Sequence, residues 1–315
     1  MMVTGASGFV GRALVSALVK DGIYVSCPVR PRAQVLLSCV DFHEIDGIDA
    51  FTDWDESLQS CSVVVHLAAR VHVMNESSQN PLEAFRTVNV EGTKNLARQA
   101  ASSGVKRFVY LSSVKSCAET SMIGSPLTYK SETHPMDAYG VSKMEAEIAL
   151  GEISKETGME VVIIRSPLVY GPGVKANFAA LIRFIRLGFP LPFGGLSGNR
   201  RSFVGIGNLV SFIRACIEHP AAAGQTFLVS DGDDMSTKVL IERLSKAMGK
   251  ADRLFYVHPL SLKFILILIG KRSFFDRLNG TLQVDISRNL TLLGWKPPVS
   301  VNEGFLSMLK DDGER

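Results

Sequence analysis

Residues 139–143 read Tyr-Gly-Val-Ser-Lys inside a helical pattern that also takes in Met144, Ala146 and Ala149. The i, i+4 spacing puts Tyr139 and Lys143 on one helix face, about 5–6 Å apart at Cβ. A free phenol titrates near ~10, too high for efficient proton transfer at neutral pH, and a neighbouring ammonium favours the phenolate. The pair can therefore do acid–base work on an oxygen, and the lysine can also hold a ribose. Upstream, Ser112-Ser113 ends an apolar run that begins at Arg107. A hydroxyl there can hydrogen-bond the reacting oxygen; Ser113 is the first choice and Ser112 the alternative.

A second chemical signature lies at Thr4–Gly11, TGASGFVG. Gly5 permits a tight strand-to-helix turn, Gly8 lets the backbone approach a pyrophosphate, and Gly11 lets the helix pack on the sheet with its N-terminus facing the anion. An apolar helical pattern, Phe9–Val19, follows, and a further apolar segment, Ile23–Val29, begins after Asp21-Gly22. Such a cradle takes a dinucleotide, with Gly5, Ser7, Gly8, Phe9 and Val10 as the contacting residues. Only Met1, Met2 and Val3 precede it, so the first strand is short or the natural start lies upstream.

The elements that must position these residues follow from the alternation of apolar runs with amphipathic stretches. Strand-like Ile23–Val29, Val63–Leu67, Arg107–Leu111 and Glu160–Ile164 are separated by helix-like Leu82–Ser102 and Ala138–Glu156. This grammar predicts an α/β, Rossmann-type, doubly wound parallel sheet. Ligands of such sheets sit beyond the carboxyl ends of the strands. There, His66-Leu-Ala-Ala69 offers Leu67, Ala68 and Ala69 to a flat cofactor, while His66 itself reads as structural. From about Ile164 the chain turns rich in Pro and Gly, in RSPLVYGPG (165–173) and GFPLPFGG (188–195). The expected division is a dinucleotide domain over 1–168 and a smaller, interleaved substrate lobe over 169–315. About 203–230 is expected to return to the first sheet.

With 315 residues, 46% hydrophobic content and a net charge of +3, the chain has the size of a soluble enzyme and no basic run or aromatic platform for nucleic acid. Its five cysteines form no CxxC pair, so neither a disulfide framework nor a metal site is expected, and the cytoplasm is the expected compartment. No signal peptide is visible. The most apolar stretch, Phe264–Ile269, is far below the roughly 20 residues needed to span a bilayer. It reads as a buried helix or a subunit contact in a homodimer. Flanking Lys263, Lys271 and Arg272 leave peripheral membrane binding as the alternative.

TGASGFVG, HLAA, Asn89-Val-Glu-Gly-Thr93, LSSV, YGVSK and VYGPG occur in an order that resembles the extended short-chain dehydrogenases/reductases, of the NAD-dependent epimerase/dehydratase type. The resemblance covers nearly the whole chain and is strongest up to Gly173. It implies a nicotinamide cofactor across the sheet, contacted also by Asn89 and Pro167. It further implies Tyr139 as the acid–base residue, Lys143 lowering its pKa and holding the ribose, and Ser113 orienting the reacting oxygen of a nucleotide sugar.

Three departures narrow the reading. Where NAD-preferring relatives place an acid after the second strand, this chain has Val29 followed by Arg30 and Arg32, which suits the 2′-phosphate of NADP(H) unless both arginines are solvated loop charges. After Ser113, Val114 and Lys115 replace the acidic pair of the sugar dehydratases, which argues against dehydration and places Lys115 among the substrate-side residues. In RRSFVGIGNLV (200–210), Gly205 and Gly207 stand where relatives have larger side chains, while Arg201 still matches a diphosphate-binding arginine.

Asn177-Phe178 resembles the pair that holds uridine diphosphate, and Arg277 is a second arginine candidate; a helix cap and a surface charge are their plain alternatives. The resulting expectation is reduction at C4 of a UDP-4-keto sugar, 6-deoxy or N-acetylamino, for surface-polysaccharide synthesis, with NADP(H) favoured and NAD the alternative. The rivals are a UDP-hexose or UDP-N-acetylhexosamine 4-epimerase that retains NAD, and a non-catalytic NADP(H)-sensing protein, against which the intact Ser113, Tyr139 and Lys143 set argues.

Overall fold

The computed structural model describes residues 1–31, 40–71, 80–174 and 176–310. Its strands alternate side chains between two apolar layers, as buried parallel strands must. In β1 (Met2–Thr4), β4 (Val63–His66), β5 (Arg107–Ser113) and β6 (Glu160–Ser166), one set of residues, Val3, Val65, Val109 and Val162, faces α1 (Phe9–Lys20) and α7 (Ile206–Glu218). The alternate set, Met2, Val64, Phe108 and Val161, packs beneath α4 (Gly92–Ser102) and α5 (Ala138–Thr157). With β2 (Val25–Val29), β3 (Val40–Glu44) and β9 (Thr226–Leu228), these strands form a seven-stranded sheet of order β3-β2-β1-β4-β5-β6-β9 among the described residues. Every pairing is parallel. The order reverses between β1 and β4, which opens a crevice at their carboxyl ends.

Two local features differ from the sequence reading. The Leu82–Ser102 pattern is broken into α3 (Pro81–Arg86), a π-turn (Thr87–Glu91) and α4. The π-turn carries Asn89, 1% exposed, whose amide accepts from the Arg70 backbone N–H at 2.8 Å and donates to the Arg70 carbonyl at 3.0 Å. Edge strand β3 was not visible as a run because it is largely exposed, with charged residues interleaved.

The chain after β6 builds a second layer. β7 (Leu168–Tyr170) pairs in parallel with β8 (Phe203–Gly205), and α6 (Ala176–Arg186), α8 (Thr237–Ala247) and α12 (Val301–Lys310) close a core around Tyr170, Phe178, Ile241 and Phe305. The glycine at 205 has a local reason. Its N–H and the Tyr170 hydroxyl both donate to Asp231, and a Cβ on Gly205 would stand 3.3 Å from the Tyr170 oxygen. α7 and β9 then return to the large sheet. The loop after β5 is laced to the second lobe: Ser121 N–H donates to the Thr281 carbonyl and Leu127 N–H to that of Gln283, each at 2.8 Å.

Candidate active site

The glycine cradle is physically obligatory here. Gly5, at φ +69°, ends β1 so close to the segment after β4 that a Cβ would lie 2.8 Å from the Ala68 nitrogen. A Cβ on Gly11 would lie 2.1 Å from the Gly5 carbonyl oxygen, so the first turn of α1 can approach the loop only with glycine there. Leu67, Ala68 and Ala69 flank this crevice, half-buried, and Pro167 is buried just past β6. Gly8 caps α1 with no side chain of its own, leaving the helix N-terminus open toward the crevice. The residues present therefore fit a dinucleotide, with Ser7, Gly8, Phe9 and Val10 at the open turn into α1.

The candidate catalytic residues are positioned by the start of α5. Asp137 caps the helix by accepting from Gly140 N–H at 2.6 Å. Gly140 permits the approach, since a Cβ there would meet the Lys115 carbonyl oxygen at 2.4 Å. Tyr139 is thereby brought against the end of β5, where the Ser113 side chain acts on its phenol. Its ring lies edge-on to Phe85 of α3 at 6.1 Å.

Lys143 behaves differently from expectation. Its ammonium donates to the Leu111 carbonyl at 2.9 Å and to the Tyr110 hydroxyl at 3.1 Å, and stands over the Tyr110 ring at 4.4 Å. Burial lowers its pKa to about 7, with Glu147 pulling the other way. Tyr139 is pushed up to about 12 by burial and by the Asp137 charge, and Ser113 opposes that shift. The expected lowering of the phenol by Lys143 is thus not seen in this structure, because the amine is held by groups of β5 instead. Asp137→Asn keeps a good helix cap and removes the charge that raises Tyr139. The limb of the pH–rate profile that reports Tyr139 is therefore expected to move to lower pH in this variant; an unmoved limb would dissociate Asp137 from the phenol.

Other expected contacts are reassigned by their partners. Ser112, the alternative to Ser113, is 2% exposed and donates to the Glu147 carboxylate, so its hydroxyl is committed within the protein. Lys115 pairs with Asp137 at 2.5 Å and Glu119 at 3.1 Å; two carboxylates neutralise the charge that was expected to face substrate. Asn89 spends its amide on Arg70 and on the Ser142 hydroxyl, joining the π-turn to α5, and so positions the site rather than presenting a free group to a cofactor.

His66 is structural. Thr4 Oγ1 accepts from Leu67 and Ala68 N–H, leaving its own proton for His66 Nδ1 at 2.7 Å, and Nε2–H reaches Thr93 Oγ1 at 3.0 Å. Burial and Lys143 lower the ring to about 3.

Arg201 reaches the backbone of Arg277, not its side chain. The Arg201 guanidinium donates to the Arg277 carbonyl at 2.7 Å at the end of α10 (Arg272–Asn279), and Glu119 acts on it electrostatically. Arg277 is exposed. Asn177 lies in the first turn of α6, but its side chain is outside the described residues, as is all of Arg32. Arg30 is exposed beyond the end of β2.

Sequence reasoning missed Asp137, Tyr110, Thr93 and Glu147. Two of these carried a local signal: an Asp just before a helical pattern marks an N-cap, and Glu147 repeats the four-residue step from Lys143.

A fold of this order with a Gly-rich β1–α1 turn and a Ser–Tyr–Lys set is that of a nicotinamide-dependent short-chain dehydrogenase/reductase. The profile of the NAD dependent epimerase/dehydratase family matches residues 1–230, and the chain belongs to that family of enzymes. It is 46% identical over 307 residues, 97% of this chain and 93% of the relative, to a UDP-glucose 4-epimerase of Vibrio cholerae. A Thermotoga maritima UDP-glucose 4-epimerase solved with UDP-glucose shares its fold at a TM-score of 0.80 and 22% identity, covering 99% of this chain and 98% of that one. So does a Bacillus cereus UDP-glucuronic acid 4-epimerase solved with NAD, at a TM-score of 0.78 and 24% identity, covering 98% and 95%. No helix among the described residues is long and apolar enough to cross a membrane.

Proposed function

We propose that this enzyme interconverts C4 epimers of a UDP-sugar. The observation that carries this is the 46% identity to a UDP-glucose 4-epimerase along nearly the whole chain, which favours the epimerase over the net reductase expected from the β2 terminus. The nicotinamide, when bound, supplies a hydride acceptor and donor. The chain's own residues handle the oxygen. Ser113 holds the C4 oxygen, and Tyr139 takes its proton as the ketone forms and returns it as the alcohol is restored on the other face. Tyr139 takes this proton in its deprotonated form, and the burial that pushes its pKa up to about 12 makes that form the minor one at neutral pH. Lys143, held over Tyr110, stands beneath that end of β5 to bind a ribose hydroxyl. Arg201 and Arg277 take the diphosphate.

Purified protein given UDP-glucose or UDP-N-acetylglucosamine is expected to yield the C4 epimer with no net oxidation of added NADPH. Stoichiometric NADPH consumption with a UDP-4-keto sugar, and no epimer formation, would replace this reading with the reductase. That second reading is favoured by one observation, the absence of a carboxylate at Val29 with Arg30 following. The two readings diverge on Arg30→Ala. If Arg30 binds a 2′-phosphate, the substitution costs about 1.5–3 kcal/mol, or about 10- to 150-fold in NADPH affinity. For an epimerase that regenerates its own NAD⁺, affinity for NAD should stay within about 2-fold and exceed that for NADP(H) in the wild type. Calorimetric titration with both cofactors checks this.

A further inference from the structure

α9 (Pro259–Leu268) is not the buried helix that its composition suggests. Leu262 and Leu266 alone anchor it, packed with Leu196 and with Phe275 of α10. The opposite side is apolar and open: Leu260 is 70% exposed, Phe264 63% and Leu268 69%, with Ile265, Ile267 and Ile269 also exposed. At 100° per residue, Ile267, Leu260, Phe264, Leu268 and Ile265 fall within one arc of about 160°, interrupted only by Ser261. Phe255 and Tyr256, both exposed, precede the helix and extend the same apolar end.

The charges around this hairpin have one dominant sign. Lys263 flanks the arc, and Lys271 and Arg272 follow in the turn and at the start of α10. Asp276, 3.8 Å from Arg272, is the one acid over residues 259–280. An exposed apolar ridge rimmed by lysine and arginine is complementary to the boundary between the acyl chains and headgroups of an anionic bilayer. A two-fold interface between copies would instead bring the basic rim against itself, or at best against a single acid per chain.

We propose that the α9–α10 hairpin docks on an anionic lipid surface, with the α9 ridge inserted among the headgroups and Lys263, Lys271 and Arg272 on lipid phosphates. Because Arg201 is bonded to the backbone at the end of α10, docking would hold Arg201 at a fixed place relative to the membrane. None of the α9 ridge residues, nor Lys271 or Arg272, is assigned a role in cofactor or substrate binding, so the test does not depend on which sugar or cofactor the enzyme uses.

The experiment is co-sedimentation of the purified full chain with vesicles of phosphatidylcholine containing about a third phosphatidylglycerol, beside vesicles of phosphatidylcholine alone. Binding is expected on the anionic vesicles, weakened by high salt, and reduced at least ~10-fold in Phe264→Asp/Leu268→Asp. The variant should retain wild-type cofactor affinity and thermal unfolding, which shows that the fold is intact. Lys271→Glu/Arg272→Glu should lose binding to the anionic vesicles while leaving the ridge unchanged. No binding by wild type, or equal binding by wild type and the ridge variant, would overturn the proposal. So would sedimentation velocity showing a wild-type dimer that the ridge variant converts to monomer, which would assign the face to a second copy.

Discussion

Replacing Tyr139 by Phe is expected to lower turnover at least ~100-fold, the lower end for loss of a positioned acid–base group, while leaving fold and cofactor binding nearly unchanged. The phenyl ring keeps its edge contact with Phe85, and no backbone bond depends on the hydroxyl. What is lost is the proton carrier on which Ser113 acts. The check is single-turnover kinetics on the purified variant beside its NAD(H) dissociation constant. Near-wild-type turnover would remove Tyr139 from the mechanism, whereas loss of cofactor binding would mean that the residue is structural.

A large effect on stability is expected from Glu147→Ala. Glu147 sits one turn beyond Lys143, and its carboxylate accepts from the Arg165 guanidinium at 2.6 Å, from Ser116 at 2.8 Å and from Ser112. Both ion-pair partners are more than nine-tenths buried. Removing the acid leaves a buried cation and the Ser112 hydroxyl without their acceptor, while Ser116 keeps the Ser113 carbonyl at 2.8 Å, and the loss costs about 3–5 kcal/mol. Urea unfolding at constant m-value measures it. The control is Glu147→Leu/Arg165→Met, which removes both charges and should recover most of that loss. An Ala variant within about 1 kcal/mol of wild type would show that water or another group already satisfies Arg165.

The same carboxylate also holds up the pKa of Lys143 against burial. Because burial brings that lysine to about 7 in the folded chain against 10.5 for a solvated lysine, the unfolded chain binds more protons between those values. Its contribution to stability therefore rises with pH across that window. Glu147→Gln should extend the window to lower pH.

The parts of this protein legible without a structure are those carried by local spacing. The glycines at 5, 8 and 11 report a backbone crowding that only a missing Cβ relieves, and the alternation of apolar runs reports strands covered on both faces. The four-residue step from Tyr139 to Lys143 reports one helix face. Partner choice across long sequence separations was not legible. That Lys143 reaches Tyr110 and Leu111, that Lys115 is neutralised by Asp137, and that Ser112 is taken by Glu147 depend on how α5 lies on β5. Composition likewise could not decide whether α9 is covered. An apolar decapeptide has the same residues whether buried or exposed, and only the packing of Leu262 and Leu266 on one side reveals that the rest of its surface faces outward. Spacing along one chain sets which groups share a face, while the energetic cost of burying charge and polar groups sets which of them meet, and that cost is decided only when the layers close.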